Sequence, residues 1–202
     1  MLINAGRLSF FISFGFAVFF ALAANTSEGR SFLIMMVCTL FHESVHIILL
    51  FMCGCKSAKL SFKIGGIAME AQGFSLLSYK DTVLCTVAAP VMNIIAGGVF
   101  YLFYIKTRDS LLLEWTAVNL LLGAGNMLPF SFLDGGRALN AFLCRHLSYR
   151  KASEISDIFS VVTLILLGVI FFVLLIKGST FMLVLFFFFY CLTGFISDKT
   201  KC

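Results

Sequence analysis

The sequence predicts an all-α polytopic membrane protein: six transmembrane helices with a small membrane-associated β-hairpin, forming one membrane-embedded domain over residues 1–202. Three observations predict it. Of the 202 residues, 60% are hydrophobic and only 12% charged, and the mean hydropathy is +1.03; a soluble domain carries about 25% charged residues. The apolar residues come in long runs near the ~20 residues that cross a bilayer as a helix. The whole chain holds two prolines, so little interrupts those runs, and a transmembrane barrel would show alternating segments of about ten residues instead.

The first run, Leu8–Ala24, reads as a span. "ALAA" at 21–24 offers a cleavage-like site, so a signal peptide is the alternative, but the flank carries only Arg7. The second run is Ser31–Phe51. After it, "AKLSFKIGGIAMEAQG" at 58–73 alternates Leu60, Phe62 and Ile64 with polar neighbours and turns at Gly65-Gly66, a hairpin signal. The third and fourth spans are Thr82–Ile105, with Pro90 inside it, and Leu111–Leu128. "NMLPFSFLDGGRALNAFLCRHL" then reads as a broken helix: Pro129 disfavours helical geometry at Leu128, and Asp134 stands where an N-cap would, ahead of a new helix. The fifth and sixth spans are Ile158–Ile176 and Thr180–Ile196. No repeat, low-complexity linker or soluble regulatory domain is visible.

Charge sets the expected orientation. With the N-terminus in the cytoplasm, eleven of the 15 Lys and Arg residues fall on the inner side, so both termini are expected there. The net charge of +5 does not indicate nucleic acid, because the basic residues sit between apolar runs and form no stripe with interleaved aromatics. The partner those runs imply is the lipid bilayer. The seven cysteines are odd in number and form no CxxC pair, so they read as free thiols on helix surfaces.

One stretch is chemically out of place. "FHESVH" at 41–46 puts ionisable groups inside an apolar span, where a charge costs roughly 2.5–3.5 kcal/mol at mid-membrane. His42-Glu43-Ser44-Val45-His46 matches H-E-x-x-H. Histidines four apart share a helix face, so both imidazoles reach one ion. The adjacent glutamate reaches water that such an ion acidifies, and acts as general base. With three His and five Glu in the chain, random order yields this pattern about once per thousand such sequences. The alternative is a helix whose polar residues bond to neighbouring helices.

Catalytic zinc usually takes three protein ligands, so a third is needed. At 1.5 Å per residue His46 lies about 23 Å from Ser31 and about 15 Å from Lys56, nearer the cytoplasmic side. Asp109, Glu114 and Glu28 sit at the other side and are too far. Asp134 follows span four on the cytoplasmic side, and a helix break at membrane depth is able to aim its carboxylate inward. A plain helix cap is the alternative for Asp134. His146 reads as a group near the C-terminus of the following helix.

Three stretches in this order, "HESVH" at 42–46, "AAPVMN" at 88–93 and "NMLPFSFLDGG" at 126–136, resemble the site-2 protease family of intramembrane zinc metalloproteases. The resemblance covers a core of about 30–147. The small size and the lack of an inserted PDZ-like domain look most like the sporulation-associated branch of endospore formers. Ala89 departs from the family, which often has glycine before that proline. Members of that branch often carry a C-terminal nucleotide-sensing domain, and regulation through one is not carried over to these residues.

The resemblance implies one zinc ion held by His42, His46 and Asp134, with Glu43 as the catalytic base. It implies that Asn93 contacts the substrate backbone or the oxyanion, with interhelical hydrogen bonding as the alternative for that residue. The expected activity is hydrolysis of a peptide bond in or near a transmembrane segment of a membrane-anchored substrate, close to the cytoplasmic side, releasing a regulator. A membrane regulatory partner and a bacterial cell membrane are also implied. The hairpin is expected to offer an edge strand to the unwound substrate, or else to lie at the interface without touching it. Two other functions fit the composition: a metal-ion transporter using the histidines in transit, which would ordinarily show paired broken helices in repeated halves, and a catalytically silent scaffold.

Overall fold

The computed structural model describes residues 2–26, 29–63, 66–176 and 182–199. The chain divides into two compact units: Met1–Asp81 with Ala88–Gly125, and Thr82–Val87 with Asn126–Cys202.

The first unit opens with strands β1 (Leu2–Ala5) and β2 (Leu8–Ile12), then helices α1 (Phe14–Ala24) and α2 (Gly29–Met52). Strands β3 (Ser57–Lys63) and β4 (Gly66–Gln72) follow, then most of α3 (Tyr79–Thr107) and α4 (Ser110–Asn126). The sheet runs β1-β2-β3-β4, antiparallel except where β2 lies parallel to β3. The expected hairpin is present, with Leu60 opposite Met69 and Phe62 opposite Ile67. Of its expected turn, Gly65 lies outside the described residues and Gly66 begins β4.

The sequence reading missed β1 and β2, and this corrects the six-span count. Leu8–Ile12 was expected to begin a span; it is a strand, so only the 11 residues Phe14–Ala24 remain helical. An apolar run does not by itself distinguish a strand buried on a sheet from a helix. Here β2 finds a partner in β3, with Phe10 opposite Leu60. The guanidinium of Arg7 fastens the β1–β2 turn, donating to the Cys55 and Lys56 carbonyls at 2.6 and 2.9 Å and lying 4.6 Å over the Phe51 ring.

Among the described residues, three helices are long and apolar enough to cross a membrane: Gly29–Met52, Tyr79–Thr107 and Tyr149–Val173. Helix α4, the expected fourth span, has 17 residues, about 26 Å against a hydrocarbon core of about 30 Å. The expected sixth span begins at residues outside those described, and its described apolar stretch is Phe188–Ser197.

Helix α2 is apolar nearly all round, but its buried residues Ile34, Cys38, His42, His46 and Leu50 fall at intervals of four, one continuous face. At the foot of α2, Ile47 packs with Ala58 and Leu60 of β3, bordered by Phe10, Met69 and Ala71. Helices α3 and α4 approach closely: a Cβ on Gly123 would lie 2.7 Å from the Pro90 carbonyl oxygen, a contact only glycine allows. At the far end of α2, Arg30 pairs with Glu114 of α4.

The second unit holds the broken stretch, then α5 (Asp134–Cys144), α6 (Tyr149–Ile176) and α7 (Met182–Lys199). The break is tightly backed. The Phe130 amide donates to the Leu128 carbonyl at 2.9 Å, the Leu133 amide to that of Phe130 at 2.8 Å, and the Ser160 hydroxyl of α6 to that of Pro129 at 2.6 Å. Phe130, Leu133 and Cys191 form a core with Leu128, Phe132, Leu164 and Leu167 around them. No disulfide joins any of the six described cysteines.

Candidate metal centre

Helix α2 carries His42, Glu43 and His46. Both histidines are buried, at 3% and 5% exposure, while Glu43 is half-buried. The one-turn spacing brings the two imidazoles together: their Nε2 atoms are 3.2 Å apart and the rings stand at 81°. Two nitrogens bound to one tetrahedral zinc at ~2.0–2.1 Å would lie about 3.3 Å apart. The pair therefore fits a single ion through both Nε2 atoms.

The other nitrogen of His42 is engaged. Its Nδ1 lies 2.8 Å from the Asn93 carbonyl oxygen, and Asn93, on α3, is fully buried. A neutral imidazole that donates from Nδ1 keeps a lone pair on Nε2, which is the form a metal requires. The Asn93 amide nitrogen donates in turn to Asn119 Oδ1 of α4 at 2.9 Å. Both ends of the amide are engaged within the protein, the oxygen on His42 and the nitrogen on Asn119. Interhelical hydrogen bonding, the alternative weighed for Asn93, is what the geometry shows.

Asn119 was missed by the sequence reading. Its signal was present as a lone amide in the apolar run "TAVNLLLG". Such a side chain in a membrane helix usually finds a partner on another helix.

Asp134 is buried, at 7% exposure. The expected N-cap role is corrected: Leu133 is the cap residue, with extended backbone, and Asp134 is the first residue of α5. A carboxylate there complements the positive end of the helix dipole. The turn beneath it requires glycine, since a Cβ on Gly136 would lie 2.1 Å from the Phe130 carbonyl oxygen. His146 sits exposed just past the end of α5, 5.7 Å from the Phe142 ring, and is not one of the buried groups.

Comparison with known proteins follows the same lines. No family model matches the chain. A zinc metalloprotease of Methanocaldococcus jannaschii is 30% identical over 131 residues, covering 62% of this chain and 38% of the relative. The chain thus spans well under half the length of that curated relative. A solved site-2 protease from the same organism superimposes with a TM-score of 0.62, covering 96% of this chain and 94% of that one at 19% identity. That likeness shows the fold, and neither relative speaks for the sporulation-associated branch. The apolar helices and the shared fold mark an integral membrane protein. In fold and in matched sequence, the chain resembles the site-2 protease family of zinc metalloproteases.

Proposed function

We propose that this protein is a site-2 protease-like intramembrane zinc metalloprotease, hydrolysing a peptide bond in or near a transmembrane segment of a membrane-anchored substrate. The observation that carries the reading is the buried histidine pair with facing Nε2 atoms 3.2 Å apart, next to a half-buried glutamate. A metal transit site would have no use for Glu43 as a base. His42, His46 and Asp134 are buried groups of metal-ligating type, and in this proposal they hold one zinc ion.

When bound, zinc supplies a Lewis acid that polarises the scissile carbonyl and acidifies water. Glu43 accepts a proton from the attacking water and returns it to the leaving amine nitrogen. The contact of His42 Nδ1 with Asn93 Oδ1 orients the ring so that Nε2 faces the ion. Cleavage falls close to the cytoplasmic side, with both termini on that side, and the released product is a regulator. A membrane regulatory partner would act on this same step.

A transmembrane helix shields its own peptide bonds, so the substrate must unwind. Strand β4 is an edge of the sheet among the described residues, and the sheet packs on Ile47, next in sequence to His46. In this proposal β4 pairs with the extended substrate. Proline introduced along Gly66–Gln72 should block cleavage in folded protein; normal cleavage at every position would exclude the strand-addition step. For the activity itself, co-expression with candidate single-span proteins is the test. Wild-type protein should yield a shortened product and Glu43→Gln none, while still binding zinc. Full activity in Glu43→Gln would refute the mechanism.

A further inference from the structure

We propose that Asn119 is a positioning residue of the metal centre: anchored on a backbone carbonyl, it sets the direction of the Asn93 amide and thereby holds His42 with its proton on Nδ1 and its Nε2 open to a metal ion. The inference rests on the metal reading above, and it concerns a residue linked to His42 through the Asn93 amide.

An amide side chain presents an acceptor at one end and donors at the other, and exchanging them is nearly neutral in shape. If Asn93 faced His42 with its nitrogen, it would donate to Nδ1. The ring proton would then move to Nε2 and occupy the position a metal needs. Nothing in the local shape of Asn93 forbids that state, so the choice must be made by its other neighbour.

Asn119 makes it. One of its amide hydrogens points to the Trp115 carbonyl, at 2.9 Å, and the other to Cys38 Sγ, at 3.1 Å. A backbone carbonyl can only accept, so the nitrogen end of Asn119 must face it. The oxygen of Asn119 is then turned to Asn93, whose nitrogen lies 2.9 Å away. The oxygen of Asn93 is left facing His42 Nδ1 at 2.8 Å. The chain therefore has a single consistent direction, from His42 through Asn93 and Asn119 to the Trp115 carbonyl.

Burial makes this direction costly to reverse. Asn93 and Asn119 are 0% and 2% exposed. Flipping either amide would set two nitrogens or two oxygens against each other where no water replaces the lost bonds. The close approach of the helices supports the same end: Gly123, one turn after Asn119, seats α4 against the Pro90 carbonyl, three residues before Asn93. The α3–α4 contact thus brings the two amides within hydrogen-bond reach.

The test reads the histidine without relying on activity. In chelator-treated protein in detergent, ¹⁵N spectra of the imidazoles report which nitrogen carries the proton; the chain has three histidines, and loss of a signal in His42→Gln assigns it. Wild-type His42 should be protonated on Nδ1. In Asn119→Leu it should shift wholly or partly to the Nε2–H form, and zinc affinity measured by chelator competition should fall by about tenfold or more, as for other residues that orient metal ligands.

Asn93→Asp, added to Asn119→Leu, should restore the Nδ1–H form, because a carboxylate only accepts and needs no neighbour to direct it. An Nε2–H tautomer in the wild type overturns the proposal outright, even if Asn119→Leu fails to fold. So does an Asn119→Leu protein that folds and keeps both tautomer and zinc affinity. If wild-type protein binds no zinc yet its His42 tautomer follows residue 119, the zinc function falls while the positioning role stands.

Discussion

His42 on α2 and Asp134 at the start of α5 are both buried, and they are held by opposite means. The histidine is held by side chains: Nδ1 on the Asn93 amide, that amide on Asn119, and Asn119 on the Trp115 carbonyl. The aspartate is held by backbone: a turn closed by the Phe130 and Leu133 amides, latched by the Ser160 hydroxyl, with glycine where a side chain would collide. The difference teaches where each site is vulnerable. A side-chain relay is sensitive to amide chemistry and tolerant of small shifts in main chain. A backbone turn is indifferent to most polar exchanges and intolerant of one methyl group.

The contrast predicts a graded series of effects. The largest should be Gly136→Ala, which drives a Cβ to 2.1 Å from the Phe130 carbonyl oxygen. A backbone collision of this kind belongs with the most destabilising substitutions, about 4–5 kcal/mol, and the protein should fail to accumulate in membranes. Normal accumulation and thermal stability would mean that the turn is softer than its geometry.

Next comes His46→Ala. Structural zinc sites with four ligands bind with about 10–16 kcal/mol, so losing one ligand should cost about 2.5–4 kcal/mol of zinc affinity. Chelator competition measures it, and an unchanged affinity would remove His46 from the ligand set. Asn93→Leu should weaken zinc by about 10–100-fold through His42. An effect under twofold would place the amide relay outside the metal centre.

The smallest effect is expected at Ser160→Ala. Losing its hydrogen bond to the Pro129 carbonyl should cost about 1 kcal/mol of stability. Zinc affinity should stay within twofold, since the Gly136 contact and the Phe130 core remain. A large loss of zinc with little loss of stability would reverse the comparison, making the backbone turn a tuning element and not a rigid seat.

Much of the site was legible because its signals are local. The His42–His46 spacing acts within about one turn of one helix, so five letters of sequence suffice to put both imidazoles on one face. Pro129 and Asp134 likewise announced a break and a new helix, although the cap proved to be Leu133. The strands β1 and β2 were hidden for the opposite reason. Nothing in "LSFF" at residues 8–11 says that β3 will supply a parallel partner almost 50 residues later, and a continuous apolar run through Ala24 looks like one helix. The partners of Asn93 were hidden similarly, because the direction of an amide depends on what lies at its other end.

The sequence by itself determined that the chain is membrane-embedded, that a two-histidine face with an adjacent glutamate lies in an apolar helix, and that a carboxylate follows a helix break. These follow from composition and from spacings shorter than a few turns. Tertiary structure decided which apolar runs become helices and which become strands, and which way the buried amides point. The strands are settled by partners far away in sequence, and the Asn93 amide by Asn119 on the next helix, since a buried polar group takes whichever conformation satisfies all of its neighbours at once.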